Sequence, residues 1–377
     1  MRPSLVYGVT LTVLMIGAYL TWTREDAAAE AAEVIVVDTK AEDIQRVVYT
    51  SEKLDVDLEA RKDDRGSYLW VKTVERRKKR TLKKKDDGHG HGDDHEGEGA
   101  EDDPAVAPKD EVAPKDEVTA EGAEGADGAE EAEAEPEITI VSKTFKAGDA
   151  GDKLLETFSP LEANRLIDVA DDALADFGLA EPVEYLEIQR AGKDARTFDV
   201  GGEAYGTKDR YIRDRDSLKV YLINADTLNP LKRGTTSLPD RALMSVEESE
   251  ALQVQVNSAT DTLTLEHRNR DDPDASHWRI VGEDEPNESA GTWLEKIFRL
   301  RSSAYVQADE APTNPELVFA VTVTGEDSST ATVEVFTGTD PDDKEGWYAR
   351  SQYTRELVKL HTSPASQAAE DLITILE

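Results

Sequence analysis

The chain has no cysteine. That excludes disulfides, thiolate catalysis, Cys-ligated zinc, iron–sulfur clusters and a lipid-modified N-terminal cysteine. An oxidising compartment would leave such a fold untouched. Aromatic residues are scarce at 6%, and basic residues number 44 against 81 acidic ones, a formal charge of −37 over 377 residues. A surface of that sign repels phosphate backbones and anionic headgroups, so nucleic acid is not an expected partner. Phosphate-loop spacing is missing: Gly148-Asp149-Ala150-Gly151-Asp152-Lys153 lacks the required glycine-to-lysine interval. No G-x-S-x-G elbow occurs, and His267, His277 and His361 read as strand positions. Asp340, Asp342 and Asp343 before Gly346 lack the twelve-residue calcium pattern and read as a loop. The expectation is a protein that is not an enzyme and needs no cofactor.

One long apolar run is present. Leu5 to Trp22 carries no charge, with Leu11, Val13, Leu14, Met15, Ile16 and Leu20 at its centre. As a helix rising about 1.5 Å per residue it matches a bilayer's hydrocarbon core. Tyr7 lies near one end and Tyr19 and Trp22 near the other, where amphipathic rings prefer the interface. Arg2 precedes the span, so the N-terminus is expected in the cytoplasm and the rest on the periplasmic side of the inner membrane. Cleavage near Ala27-Ala28-Ala29 is the competing reading. The run exceeds a usual signal-peptide core, and Arg24-Glu25-Asp26 stands where a cleavage region is small and neutral.

Residues 86–137 hold about 21 Asp and Glu against Lys109 and Lys115, with a tandem APKDEV at Ala107–Val118. So little apolar surface cannot offset the entropy of ordering, which predicts disorder. Arg76-Arg77-Lys78-Lys79-Arg80 and Lys83-Lys84-Lys85 precede this tract, and the acidic stretch itself is their best-placed partner. Within it, His89, His91 and His95, with Asp93 and Asp94, are the candidate metal ligands for zinc, copper or nickel. The alternative is a low-complexity linker in which the histidines are incidental.

The remainder shows self-similarity. Ile44 and Leu252, and Trp70 and Trp278, are each 208 positions apart; Leu154-Leu155-Glu156 and Trp293-Leu294-Glu295 lie 139 apart; Tyr211 and Tyr348 lie 137 apart. Each unit reads as a hairpin, a helix, and strands near 183–188, 197–200, 211–212 and 219–223, with partners near 317–323, 332–336, 347–348 and 357–361. Alternating apolar and polar residues argue for antiparallel sheet, and Asp240-Arg241-Ala242-Leu243 is expected to open a short connecting helix. Trp70, Trp278 and Trp347 read as core or sheet-face residues. The predicted class is α+β: an N-terminal transmembrane helix (1–26), a first unit (33–75 with 138–235), a basic and disordered acidic insertion (76–137), and a second unit (236–377).

Phe177-Gly178-Leu179 with Pro182, Gly201-Gly202, Tyr211-Ile212-Arg213 and Val220-Tyr221-Leu222-Ile223 occur in an order that resembles the bacterial domain-of-unknown-function family 4340. The resemblance covers nearly the whole chain except the acidic insertion. It implies an anchored envelope protein associated with gliding-motility-type ABC-transporter components, hence an accessory or interaction subunit whose partners are a permease or other envelope proteins. It supplies no catalytic residues. The alternative is an envelope ligand- or metal-binding protein that uses the histidine tract or a cleft between the units.

Overall fold

A computed structural model describes residues 34–78, 138–272 and 274–376. Of the described residues, 34–77 and 140–376 belong to one compact unit. The apolar stretch Leu5–Trp22 and the candidate ligands His89, His91 and His95 lie outside the described residues. Among the described residues no helix is long and apolar enough to cross a membrane.

The fold is α+β, dominated by antiparallel sheet. The first half begins with strands β1 (Val34–Val37), β2 (Ile44–Thr50), β3 (Leu54–Asp63), β4 (Gly66–Lys78) and β5 (Ile138–Lys146). Helix α1 (Asp149–Thr157) and the short strands β6 (Leu161–Ala163) and β7 (Arg165–Ile167) follow. Then come β8 (Glu184–Arg190), β9 (Arg196–Glu203), β10 (Arg210–Asp214), β11 (Val220–Ile223) and the one-turn helix α2 (Asn229–Arg233). The second half runs β12 (Ala251–Ser258), β13 (Thr262–Arg268), β14 (His277–Ile280), helix α3 (Glu288–Arg299) and β15 (Ser302–Tyr305). It ends with β16 (Thr313–Gly325), β17 (Thr330–Thr339), β18 (Glu345–Ser351), β19 (Val358–Leu360) and helix α4 (Thr362–Leu376).

Nine strands form one sheet in the order β5-β4-β3-β2-β8-β9-β10-β11-β7, and eight form another in the order β14-β13-β12-β16-β17-β18-β19-β15. With β5 set aside, the two orders agree strand for strand. Registers agree too. Val47 faces Leu58 across β2–β3 as Val254 faces Leu265 across β12–β13. Val47 faces Ile188 as Val254 faces Val323, and Leu186 faces Phe198 as Val321 faces Val333. All these residues are buried, so the period-2 alternation in the sequence marks the core face in both sheets.

Strands β2 and β3 match β12 and β13 at an offset of 207, and β4 matches β14 at 209, instead of 208 throughout. Ile44 therefore corresponds to Ala251, which is fully buried, and not to Leu252, which is exposed. Leu69, not Trp70, takes the place of Trp278: Leu58 faces Val71 where Leu265 faces Ile280. A one-residue slip turns a strand's side chain to the other face, and Trp70 is only half-buried where Trp278 is buried.

Helix α3 is amphipathic, burying Ala290, Trp293, Leu294 and Ile297 at i, i+3, i+4 and i+7, with Asn287 as its N-cap and Lys296 and Arg299 in its last turn. The Trp293 indole donates to the Ala368 carbonyl at 2.7 Å, which fastens α3 to α4. Two expectations fail. Asp240–Leu243 is a bend and not a helix, because the Asp240 carboxylate accepts from the Ala242 amide and from Lys146 instead of capping a helix. His361 is not in a strand: it directly precedes α4, and its carbonyl accepts from the Ala365 amide.

The residues that carry the family resemblance converge on one corner. Gly178 adopts φ 67° and ends the 3-10 turn Asp171–Phe177. The Phe177 and Tyr211 rings meet edge to face at 4.8 Å. A Cβ at Gly201 would lie 2.4 Å from the Phe177 carbonyl oxygen. The motif is thus a packing joint between that turn and the β9–β10 pair.

Candidate functional site

A cleft of about 860 Å3 opens where the β13–β14 hairpin meets the start of α3 and residues 247–249. Hairpin register places His267 opposite Trp278, and their rings stack at 4.3 Å with planes 16° apart. His267 Nδ1 lies 3.2 Å from the Ala251 carbonyl oxygen, which can only accept. In the neutral ring Nδ1 therefore carries the proton, and Nε2, 2.8 Å from Ser276 Oγ, accepts from that hydroxyl. Trp278 Nε1 donates to Glu248 Oε1 at 3.3 Å. Asn287 is fixed twice: its amide donates to the Trp278 carbonyl, and its side chain caps Ala290. Gly291 leaves space beside Trp278, since a Cβ there would stand 3.8 Å from the ring.

Electrostatically the cleft is acidic. Glu247, Glu248, Glu288 and Glu295 line it, while the guanidinium of Arg270 is engaged by Glu326 at 2.5 Å and by the Ser249 carbonyl. Burial pushes the Glu248 carboxyl up, the charge of Glu295 adds to this, and the Trp278 hydrogen bond opposes it. Burial also pushes the His267 imidazole down, with Arg270 adding to it. The arrangement suits recognition of a polar or cationic group beside a stacked aromatic pair. The Ser276–His267 contact has the form of a nucleophile–base pair. Yet the Ser276 amide is spent on the Asp272 carbonyl at 2.8 Å and cannot serve an oxyanion as a nucleophile elbow's amides do.

The depressed imidazole has a consequence for stability. Below the ordinary histidine range, near 6.5, the unfolded chain takes up a proton that folded His267 resists. Stability from this residue is present above that pH and is lost as pH falls through the folded-state value. His267→Gln should flatten the pH dependence of the urea midpoint between about pH 7 and 5. An unchanged slope in the variant would show that His267 is not desolvated as described.

Sequence reasoning placed His267 and His277 in strands, which holds, but did not join them to a site. The only signal was a histidine opposite a tryptophan across a short hairpin. Trp278 is buried and Trp347 packs on the core. Asp340, Asp342 and Asp343 form the β17–β18 turn, where Asp340 accepts from the Asp342 and Lys344 amides. Gly148–Lys153 forms the start of α1. Among the described residues no group of three or more His, Cys, Asp or Glu is arranged to hold a metal ion.

Residues 147–317 match the family described as "Domain of unknown function (DUF4340)". This chain carries a domain of the DUF4340 family. The matched segment begins at α1 and ends in β16, so it contains both the glycine corner of the first half and the whole cleft of the second. No curated protein and no solved structure matches the chain.

Proposed function

We propose that this DUF4340 protein is an accessory interaction subunit of an ABC-transporter-like complex. In this reading an N-terminal helix tethers it to the inner membrane, and its duplicated body binds a partner on the periplasmic side. The cleft at the start of α3 carries the reading: a half-buried carboxylate, a stacked His–Trp pair and a capped helix start converge on open space. What supports duplication is the shared strand order, the common registers, and matching backbone bonds outside the strands. Ala191 donates to Asp43 in the first half as Glu326 donates to Glu250 in the second. The tether rests on the apolar run Leu5–Trp22.

Site-specific photo-cross-linking tests the proposal. With a photoreactive residue at His277 in cells, an envelope or permease partner should be captured, and the same residue at Lys193, in the exposed β8–β9 turn outside the cleft lining, should capture none. Equal capture at both positions, or none at either, would remove this reading. A second reading, an envelope metal-binding protein, draws on His89, His91 and His95. Calorimetry with zinc, copper and nickel on the full chain should then give heat that vanishes when all three are replaced by Ala.

A further inference from the structure

The cleft has a counterpart in the first half that is already filled by the chain itself. Carrying the hairpin and helix correspondences across, Arg270 stands where Asp63 does, His277 where Tyr68 does, Glu288 where Asp149 does, and Gly291 where Asp152 does. All four members of the second half line the cleft. Their counterparts in the first half surround the turn between β18 and β19. Arg355 makes a two-pronged contact with Asp63, at 2.9 and 3.0 Å, and its guanidinium lies 3.8 Å from the centre of the Tyr68 ring. Tyr353 of the same turn lies over Lys146 at 3.4 Å, beside Asp149 and Asp152. One half of the molecule thus shows an occupied socket, with a turn bearing an aromatic ring and a guanidinium as its plug.

We propose that the open cleft of the second half is the equivalent socket, and that it receives a turn of a partner protein presenting an aromatic side chain and a cation. Charge complementarity selects the cation: Glu248, Glu288 and Glu295 line the cleft, and Arg270 is held by Glu326. With Arg270 in the place of Asp63, the incoming cation is read by Glu288 of α3 and by Glu248 of the segment that precedes β12. A second copy of this chain is the less suited occupant. Its own turn at the corresponding place has the same backbone form, with Leu218 at φ 59° bonded to Asp214 as Arg355 at φ 64° is bonded to Ser351. However, it offers Leu218 where the plug offers Arg355, and two chains of charge −37 repel.

The inference rests on the accessory-subunit reading and deepens it. The test is fluorescence anisotropy on the full chain in mild detergent, with a labelled cyclic peptide of the sequence Arg350–Val358 as probe. Saturable binding is expected, weakened at least tenfold when the peptide's tyrosine and second arginine are replaced by alanine, and to the same degree by Glu248→Lys with Glu288→Lys. Cross-linking from the peptide should fall on the β13–β14 hairpin. No saturation at millimolar peptide, indifference to the charge reversal, or cross-links at Asp63 and Tyr68 instead would each overturn the inference. So would concentration-dependent self-association abolished by Leu218→Glu, which would make a second copy the occupant. If a partner is captured at His277 in cells but the peptide does not bind, this inference falls and the accessory reading stands; the reverse pair of results has the opposite meaning.

Discussion

Gly201→Ala should lower stability by about 3 kcal/mol or more, near the upper end of overpacking costs, because the added methyl meets backbone that cannot swing aside. The new Cβ would sit 2.4 Å from the Phe177 carbonyl oxygen and 2.9 Å from Leu179 Cγ. Gly201 is buried, so solvent cannot take up the displacement. Relief requires moving the Asp171–Phe177 turn off the sheet, which also breaks the Phe177–Tyr211 contact. Gly192→Ala is the control. Gly192 has φ 65° but nothing within 4 Å of a new Cβ, so its cost should be only the 1–2 kcal/mol of left-handed backbone. At roughly 2–4 °C per kcal/mol, thermal unfolding should separate the two variants by several degrees. Equal effects would mean that the close approach at Gly201 is not a packing joint.

That joint shows what the sequence could and could not express. Phe177-Gly178-Leu179 and Gly201-Gly202 were visible as carriers of the family resemblance, but nothing in their spacing said that they touch, nor that both glycines lie inside β9. The long strands were legible where, as in β3, Leu54, Val56 and Leu58 alternate with Asp55 and Asp57 on a half-buried sheet. Strands β6, β7 and β15 were not, since three or four residues are too few to display a period and, unlike Val220-Tyr221-Leu222-Ile223 of β11, none of the three is a continuous apolar run. The likeness between the two halves was visible but one residue out of register: two tryptophans attract each other in a comparison by rarity, whereas the strand pairings match positions by the face they present. The cleft was least legible of all. It draws on four separated stretches, and its His267–Trp278 stack exists only through cross-strand register.

Asp240→Ala should cost about 3–5 kcal/mol, the usual penalty for stranding one member of a buried ion pair. Lys146 Nζ lies 2.5 Å from Asp240 Oδ2, and the side chains of both are only about a tenth exposed, at 9% and 10%. The Tyr353 ring, 3.4 Å from the ammonium, is the other favourable contact and cannot replace a carboxylate. The substitution also frees the Ala242 amide, which Asp240 accepts, and loosens the bend that joins the halves. Asp240→Asn keeps that amide acceptor and should recover part of the loss. The decisive comparison is the double variant Lys146→Met with Asp240→Ala, which removes the stranded charge. If desolvation of Lys146 dominates, the double variant should be more stable than Asp240→Ala alone, with a coupling of at least about 1 kcal/mol in urea unfolding. Additive losses would instead assign the cost to the bend at Ala242, and with it the rigidity of the junction that seats Tyr353 and Arg355.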